Sequence, residues 1–231
     1  MSETDRIARA YKDYETSATG RWDSHNPGNQ AILAERRRRS RVLLESKGLV
    51  PLGERRVLEV GSGRGGELAW LRELGAAPAH LVGIDLLPER VEAARLGFPE
   101  LEFHAGNAEH LPFPDESFDL LLALTLFSSI LDARMAAAVA GEMTRVLRPG
   151  AWLLWYDLRV DNPSNPQVRG FAEKQVRALL PSLEGRLDRI TLLPPLARRL
   201  GPTTRLAYPA LASVPSLRSH LIGLLHKPRP S

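Results

Sequence analysis

The chain has 231 residues, with 31 Lys and Arg against 27 Asp and Glu, a formal net charge of +4, and no cysteine. That length supports one domain with a sizeable core, and the composition excludes a disordered chain. Without cysteine there is no disulfide, thiolate metal site or cysteine nucleophile. A basic surplus spread along the chain is weak evidence for a nucleic-acid partner.

The start, Met1-Ser-Glu-Thr-Asp-Arg6, is polar and leads into no apolar run, unlike a secretory signal. The longest apolar stretch, 120–131, contains Thr125, Ser128 and Ser129 and is too short to span a bilayer. No membrane insertion and a cytoplasmic location are expected. Ile7 to Glu15 reads as a short helix, and 20–29, with Asn26-Pro27-Gly28-Asn29, as a loop. A second helix over about 30–48 carries Arg36-Arg37-Arg38-Arg39 and ends at Gly48. The arginine run reads as a solvated helix face or a phosphate-binding stripe.

From Arg56 short apolar runs alternate with helical patterns, which predicts a parallel α/β sheet. Strands are expected at 56–60, 81–85, 101–104, 118–124 and 152–157, and helices at 65–74, 88–95 and 135–147. Beyond a loop over 159–166 follow a helix at 168–180, a strand near 189–193, a helix at 203–212 and a last strand at 220–225.

The first strand, Val57-Leu58-Glu59-Val60, runs into Gly61-Ser62-Gly63-Arg64-Gly65-Gly66 and then a helix. Glycine lets the backbone take left-handed conformations and lets a ligand approach closely, and a helix N-terminus favours negative charge. Taken alone the turn is ambiguous. Gly61, Gly63 and Gly66 satisfy the dinucleotide pattern G-x-G-x-x-G, with Asp85 at the distance of a ribose-binding acid. Glu59, Gly61, Gly63 and Gly65 equally satisfy E-x-G-x-G-x-G.

Four motifs over about 55–157 together resemble the class I S-adenosylmethionine-dependent methyltransferases. They are Glu59 to Gly65, Gly83-Ile84-Asp85, the run from Gly106-Asn107-Ala108 to Phe118-Asp119, and Arg145-Val146-Leu147-Arg148-Pro149-Gly150. A nicotinamide-dependent dehydrogenase has no reason to carry the last two. The resemblance implies a Rossmann-like three-layer αβα sandwich, with a seven-stranded mostly parallel sheet whose last strand is antiparallel. It implies S-adenosylmethionine as cofactor and no metal. It divides the chain into an N-terminal helical lid, 1–50, and a methyltransferase core, 51–231. Within the core, 55–157 is the cofactor half, and 158–231 the substrate side with a C-terminal hairpin.

By the same resemblance the backbone of Gly61, Ser62, Gly63 and Gly65 lies against the amino acid and ribose, and Glu59 orients the methionine moiety. Asp85 takes the ribose hydroxyls. Leu86, Asn107 and Ala108 meet the adenine, Asn107 replacing the family's usual Asp, and Leu124 is a further cofactor-binding residue. The acceptor is expected near the loops after the fourth and fifth strands, under the N-terminal segment. Tyr11, Tyr14, Trp22, Ser128, Asp157 and Asn162 are substrate-side candidates, with His25 as general base and Arg159 as a binder of an anionic or hydroxyl-rich acceptor. His104 and His110 lack the partners of a metal pair. The function expected is O-methylation of a small molecule or sugar-containing metabolite. The alternatives are a nucleic-acid methyltransferase and a non-catalytic protein that binds S-adenosylmethionine or NAD.

Overall fold

The computed structural model describes residues 2–16, 23–163 and 165–230. Seven strands form one sheet: β1 (Val57–Val60), β2 (Leu81–Asp85), β3 (Glu102–Ala105), β4 (Phe118–Leu124), β5 (Leu147–Leu158), β6 (Leu187–Leu192) and β7 (Arg218–His226). Their order is β3-β2-β1-β4-β5-β7-β6, and β7 runs antiparallel to both its neighbours. This is the expected Rossmann-like sheet.

Side-chain alternation along the strands sorts the core into two layers. Leu58, Val60, Val82, Ile84, Leu121, Ala123 and Leu153 face one side, where Val139, Ala140 and Met143 of α5 (Ala133–Val146) pack. Val57, Leu81, Leu120, Leu122 and Leu154 face the other. There they meet Leu44 of α2 (Pro27–Glu45), Leu68 and Leu71 of α3 (Gly66–Leu71), and Val91 and Ala94 of α4 (Pro88–Gly97). Burial on both faces explains why β1, β2 and β4 are almost continuously apolar in sequence. α1 (Glu3–Thr16) precedes this framework.

Two expectations change. Residues 27–29 belong to α2, because the Asn26 side chain accepts from the Gly28 and Asn29 amides and Pro27 occupies the first turn. An Asn-Pro pair makes a helix cap as readily as a turn. The helix expected at 168–180 shrinks to α6 (Glu173–Leu179). Gly170 packs directly on the Val160 backbone and donates to Asp161 at 2.8 Å, which holds that segment extended against the loop after β5. β6 and β7 are joined through α7 (Pro194–Arg199) and α8 (Thr204–Ala212), the second of them at the expected 203–212. Ala197, Tyr208 and Ala212 of that insert pack with Ala31 and Ile32 of α2. α2 is thereby wedged between the insert and the sheet.

Candidate active site

Gly61, Gly63 and Gly65 have φ of +78°, +53° and +78°, the left-handed region that other residues resist. The turn is tied to the end of β2: the Gly61 and Ser62 amides donate to Ile84 O, and the Gly63 amide to Asp85 Oδ2 at 2.8 Å. The three glycines do different work. A Cβ on Gly65 would meet Phe103 Cζ at 2.6 Å, so this glycine exists for packing. A Cβ on Gly63 would meet nothing within 4 Å, so its surroundings are open. Ser62 turns its hydroxyl inward beneath Gly83.

A cavity of about 200 Å³ opens beside this turn at the carboxyl ends of the strands. Gly61, Asp85, Leu86, Asn107, Ala108 and Leu124 line it, whereas Glu59, Ser62, Gly63 and Gly65 do not. Asp85 is 8% exposed, and its second oxygen accepts from the Leu87 amide at 3.0 Å. Burial raises its pKa, against the Leu87 and Gly63 amides that lower it. Asn107 is folded back on Glu109, accepting from its amide at 3.0 Å and donating to its carboxylate at 2.8 Å.

Glu59 is 3% exposed, and its Oε2 has no hydrogen-bond partner among the described residues. Burial pushes its pKa well above the usual carboxylate range, and Glu67 adds to this while Arg36 opposes it. Buried polar atoms are nearly always satisfied in native proteins. An orphaned acceptor behind the glycine turn therefore fits a ligand that brings a donor.

A second, larger cavity of about 450 Å³ adjoins the first, and Tyr11, Thr125 and Ser129 line both. Tyr11 Oη lies 2.9 Å from Ser129 Oγ, and Arg90 stacks over the Tyr11 ring at 4.1 Å. Thr125 has φ of +57°, a strained conformation for a β-branched residue, of the kind that gathers at functional sites. Ile32 and Leu33 of α2, Leu158 of β5, and Pro194 and Pro195 of α7 give its walls an apolar stretch, beside the polar or charged Asp23, Asn29, Gln30, Arg36 and Arg198.

Of the substrate-side candidates, Tyr11, Tyr14, Ser128 and Asn162 line this cavity. Tyr14 donates to Asn165 at 3.1 Å. Trp22 lies outside the described residues. Asp157 is fully buried and lines neither cavity; it accepts from the Ser128 amide at 3.1 Å and so fixes the turn after β4. Burial pushes its pKa up to about 6. The candidate base and acceptor-binder also fall outside. His25 is 94% exposed beside Asp23, and Arg159 donates to Arg218 O at 2.7 Å. Three arginines of α2 are inter-element ties: Arg36 and Arg37 share Glu67, each at 2.9 Å, and Arg39 reaches Asp188 at 2.6 Å.

One residue was read in sequence only as the start of a strand. His220, at the head of β7, is 5% exposed, lines the larger cavity and stacks on Tyr156 at 4.7 Å between ring centroids. Its Nδ1 lies 2.8 Å from Ser219 Oγ. Burial, then Arg36, push its pKa down to about 3, so the ring is neutral. No group of three or more His, Cys, Asp or Glu able to hold a metal occurs among the described residues.

Residues 58–155 match the family model described as a methyltransferase domain. Phthiotriol/phenolphthiotriol dimycocerosates methyltransferase 1 of Mycobacterium ulcerans is 41% identical over 115 residues, 49% of this chain and 41% of the relative. Fatty-acid O-methyltransferase of Mycolicibacterium smegmatis is 33% identical over 177 residues, 68% of this chain and 63% of the relative. The chain thus spans about half the length of the curated relatives it matches. Among solved structures, a SAM-dependent methyltransferase of Methanosarcina mazei superposes with a TM-score of 0.54 at 20% identity, over 75% of this chain and 92% of that one. Residues 58–155 are thus similar to a methyltransferase domain, and the sheet order and the glycine turn agree with that fold.

Proposed function

We propose that the protein is an S-adenosylmethionine-dependent methyltransferase that methylates an oxygen of a small molecule with an apolar body. The observation that carries this reading is the pair of adjoining cavities, one against the glycine turn and Asp85, the other with an apolar stretch, sharing the wall of Tyr11, Thr125 and Ser129. The curated relatives support it through their names, a fatty-acid O-methyltransferase and methyltransferases of phthiotriol dimycocerosates.

The residues fit the cofactor. Glu59 Oε2 lacks a donor, which a cationic amino group supplies directly or through water. Asp85 uses one lone pair of each oxygen on backbone amides and keeps others for a ribose diol. Gly61 admits close approach, and Leu86, Asn107, Ala108 and Leu124 form the walls for a flat base. Asn107 presents its edge with both amide ends already engaged by Glu109. Ser62, Gly63 and Gly65 build the turn. When bound, the cofactor supplies a methyl carbon activated by a sulfonium. The chain's own task is to place the acceptor oxygen in line with that carbon and to exclude water. The larger cavity does both, its apolar stretch holding the body of the acceptor. The reading of 1–50 as a lid is supported by Tyr11 and Tyr14 of α1 and by Ile32, Leu33 and Arg36 of α2, which line this cavity.

Incubation with methyl-labelled S-adenosylmethionine and a panel of aliphatic and phenolic acceptors tests this. Labelled ether or ester is the expected product; cofactor binding with no transfer to any acceptor would favour a non-catalytic binding protein.

A further inference from the structure

We infer that the outer face of the α7–α8 insert docks on an anionic bilayer surface and turns the mouth of the larger cavity toward the lipid. Docking needs neither cofactor nor acceptor, so it stands or falls apart from the methyltransferase reading. Joined to that reading, it makes the bilayer the source of the acceptor.

Charge is unevenly spread along the chain. After Asp188 there is no further acidic residue and there are seven basic ones, more than the whole surplus of +4, so the chain before that point is net acidic. Such asymmetry suits a negatively charged partner. Lys227 and Arg229 lie beyond the far end of β7, where the Gly150 amide donates to Lys227 O. The insert and its exit hold Arg198, Arg199, Arg205 and Arg218. Arg199 and Arg205 are exposed and make no ion pair among the described residues. Arg218 spends its guanidinium on the carbonyls of Ala212, Ser213 and Arg189, which hold it without neutralising it. The neighbouring acids are engaged: Glu35 accepts from Tyr208 Oη at 2.8 Å, and Asp188 is shared by Arg39 and Arg186.

The surface beside these arginines is apolar. α8 buries Thr204, Tyr208 and Ala212, four residues apart, and presents Leu206, Pro209, Ala210 and Ser213 to solvent. Leu206 is 83% exposed and Val214, just past the helix, 41%. A helix face that meets only water normally carries several charges, whereas Arg205 is the only charged residue of α8. Exposed leucine bordered by arginine is the composition of an interfacial helix: the apolar side chain enters the acyl boundary while guanidinium groups meet lipid phosphates. A nucleic-acid backbone would use the arginines but give Leu206 and Val214 no apolar contact. A second copy across a two-fold axis would set the same arginines against each other.

The patch adjoins the larger cavity. Pro195 and Arg199 of α7 are one turn apart and both exposed, and Pro195 lines the cavity. Leu33 of α2, 36% exposed, lines it too. Asp23 lines the same cavity, where Arg36 and Arg198 outnumber it. An apolar acceptor dissolved in the bilayer thus enters without crossing water.

Sedimentation of the full chain with sucrose-loaded vesicles tests this, with phosphatidylglycerol mixed into phosphatidylcholine in one set and phosphatidylcholine alone in the other. Binding to the anionic vesicles that weakens with salt, and little binding to the neutral ones, is expected. Arg199→Gln combined with Arg205→Gln should weaken it about 30-fold, at about fivefold per arginine, and Leu206→Ser about tenfold. Leu96→Ser is the control: Leu96 is 85% exposed on α4, which packs on β2 and β3 at the sheet edge opposite β6, and its loss should change nothing. Thermal midpoints show that each variant folds. Equal binding to both vesicle sets, binding to neither, or an anionic-vesicle affinity unchanged in both insert variants would overturn the inference. So would tighter binding to duplex RNA than to the vesicles, or a dimer in sedimentation equilibrium that Leu206→Ser dissolves.

Discussion

Glu59→Gln should make the ligand-free protein more stable at alkaline pH while it weakens cofactor binding. Glu59 is 3% exposed, its Oε2 has no partner among the described residues, and burial, then Glu67, raise its pKa against the opposing charge of Arg36. A carboxyl whose pKa is raised on folding binds its proton more tightly in the native state. Stability from this group is therefore greatest below its ordinary pKa and falls as pH rises towards the raised value, by at most about 1.4 kcal/mol per pH unit. Gln matches the neutral acid in shape and removes that dependence. The gain at pH 8 should be about 1–3 kcal/mol, the scale of an unsatisfied buried polar group. For a chain of this size that corresponds to a rise in Tm of about 2–12 °C. Binding should move the other way. Loss of a charged hydrogen bond of about 1.5–3 kcal/mol weakens S-adenosylhomocysteine by about 10- to 150-fold. Thermal scans of both proteins from pH 5 to 8, paired with titration calorimetry, measure the two effects. A variant less stable than wild type at pH 8 with unchanged affinity would refute the reasoning, because Glu59 would then be a structural acid already satisfied in the empty protein.

Asp85→Ala removes the acceptors of the Gly63 and Leu87 amides as well as the proposed ribose contacts. Affinity for S-adenosylhomocysteine should fall by about 1–3 kcal/mol and stability by a similar amount; an affinity within twofold of wild type would remove the ribose assignment. Gly65→Ala should lower Tm sharply, since its Cβ meets Phe103 at 2.6 Å as well as requiring φ of +78°. Gly63→Ala, with open space around it, should lose only about 1 kcal/mol in unfolding experiments. Equal losses at the two positions would contradict the packing role given to Gly65. Asp157, with its pKa raised to about 6, contributes stability that declines between about pH 4 and 6. The stability of Asp157→Asn relative to wild type should therefore rise across that window, as urea melts at pH 4 and pH 7 would show; a constant difference would mean that the carboxyl is not shifted.

The sheet was legible because burial on both faces leaves almost continuous apolar runs, broken in β1 by Glu59, in β2 by Asp85 and in β4 by Asp119. The glycine turn was legible because positive φ at Gly61, Gly63 and Gly65 demands the residue type. Hidden in the sequence was the direction of each side chain. Ser62 turns under Gly83, and Asp157 turns into the core to hold the Ser128 amide, although neighbours on each segment reach a cavity. His25 stood out by residue type alone, yet it is in solvent. His220 became visible only once β7 lay beside β5, bringing it to Tyr156, and once α2 brought Arg36 to the same wall. Periodicity reports whether a residue is buried, not which distant segments share its surroundings. The two-helix path between β6 and β7 shows the same limit. The Thr203–Ala212 helix could be read from its pattern, but its seat on α2 depends on contacts far apart in the chain.

The proposed place of S-adenosylmethionine is the cavity beside the glycine turn. Titration calorimetry of the purified protein with S-adenosylmethionine, S-adenosylhomocysteine and NAD tests it most directly. Saturable binding of the first two and none of the third is expected. Binding of NAD alone would mean that Gly61, Gly63 and Gly66 serve a dinucleotide, and the methyltransferase reading would fall.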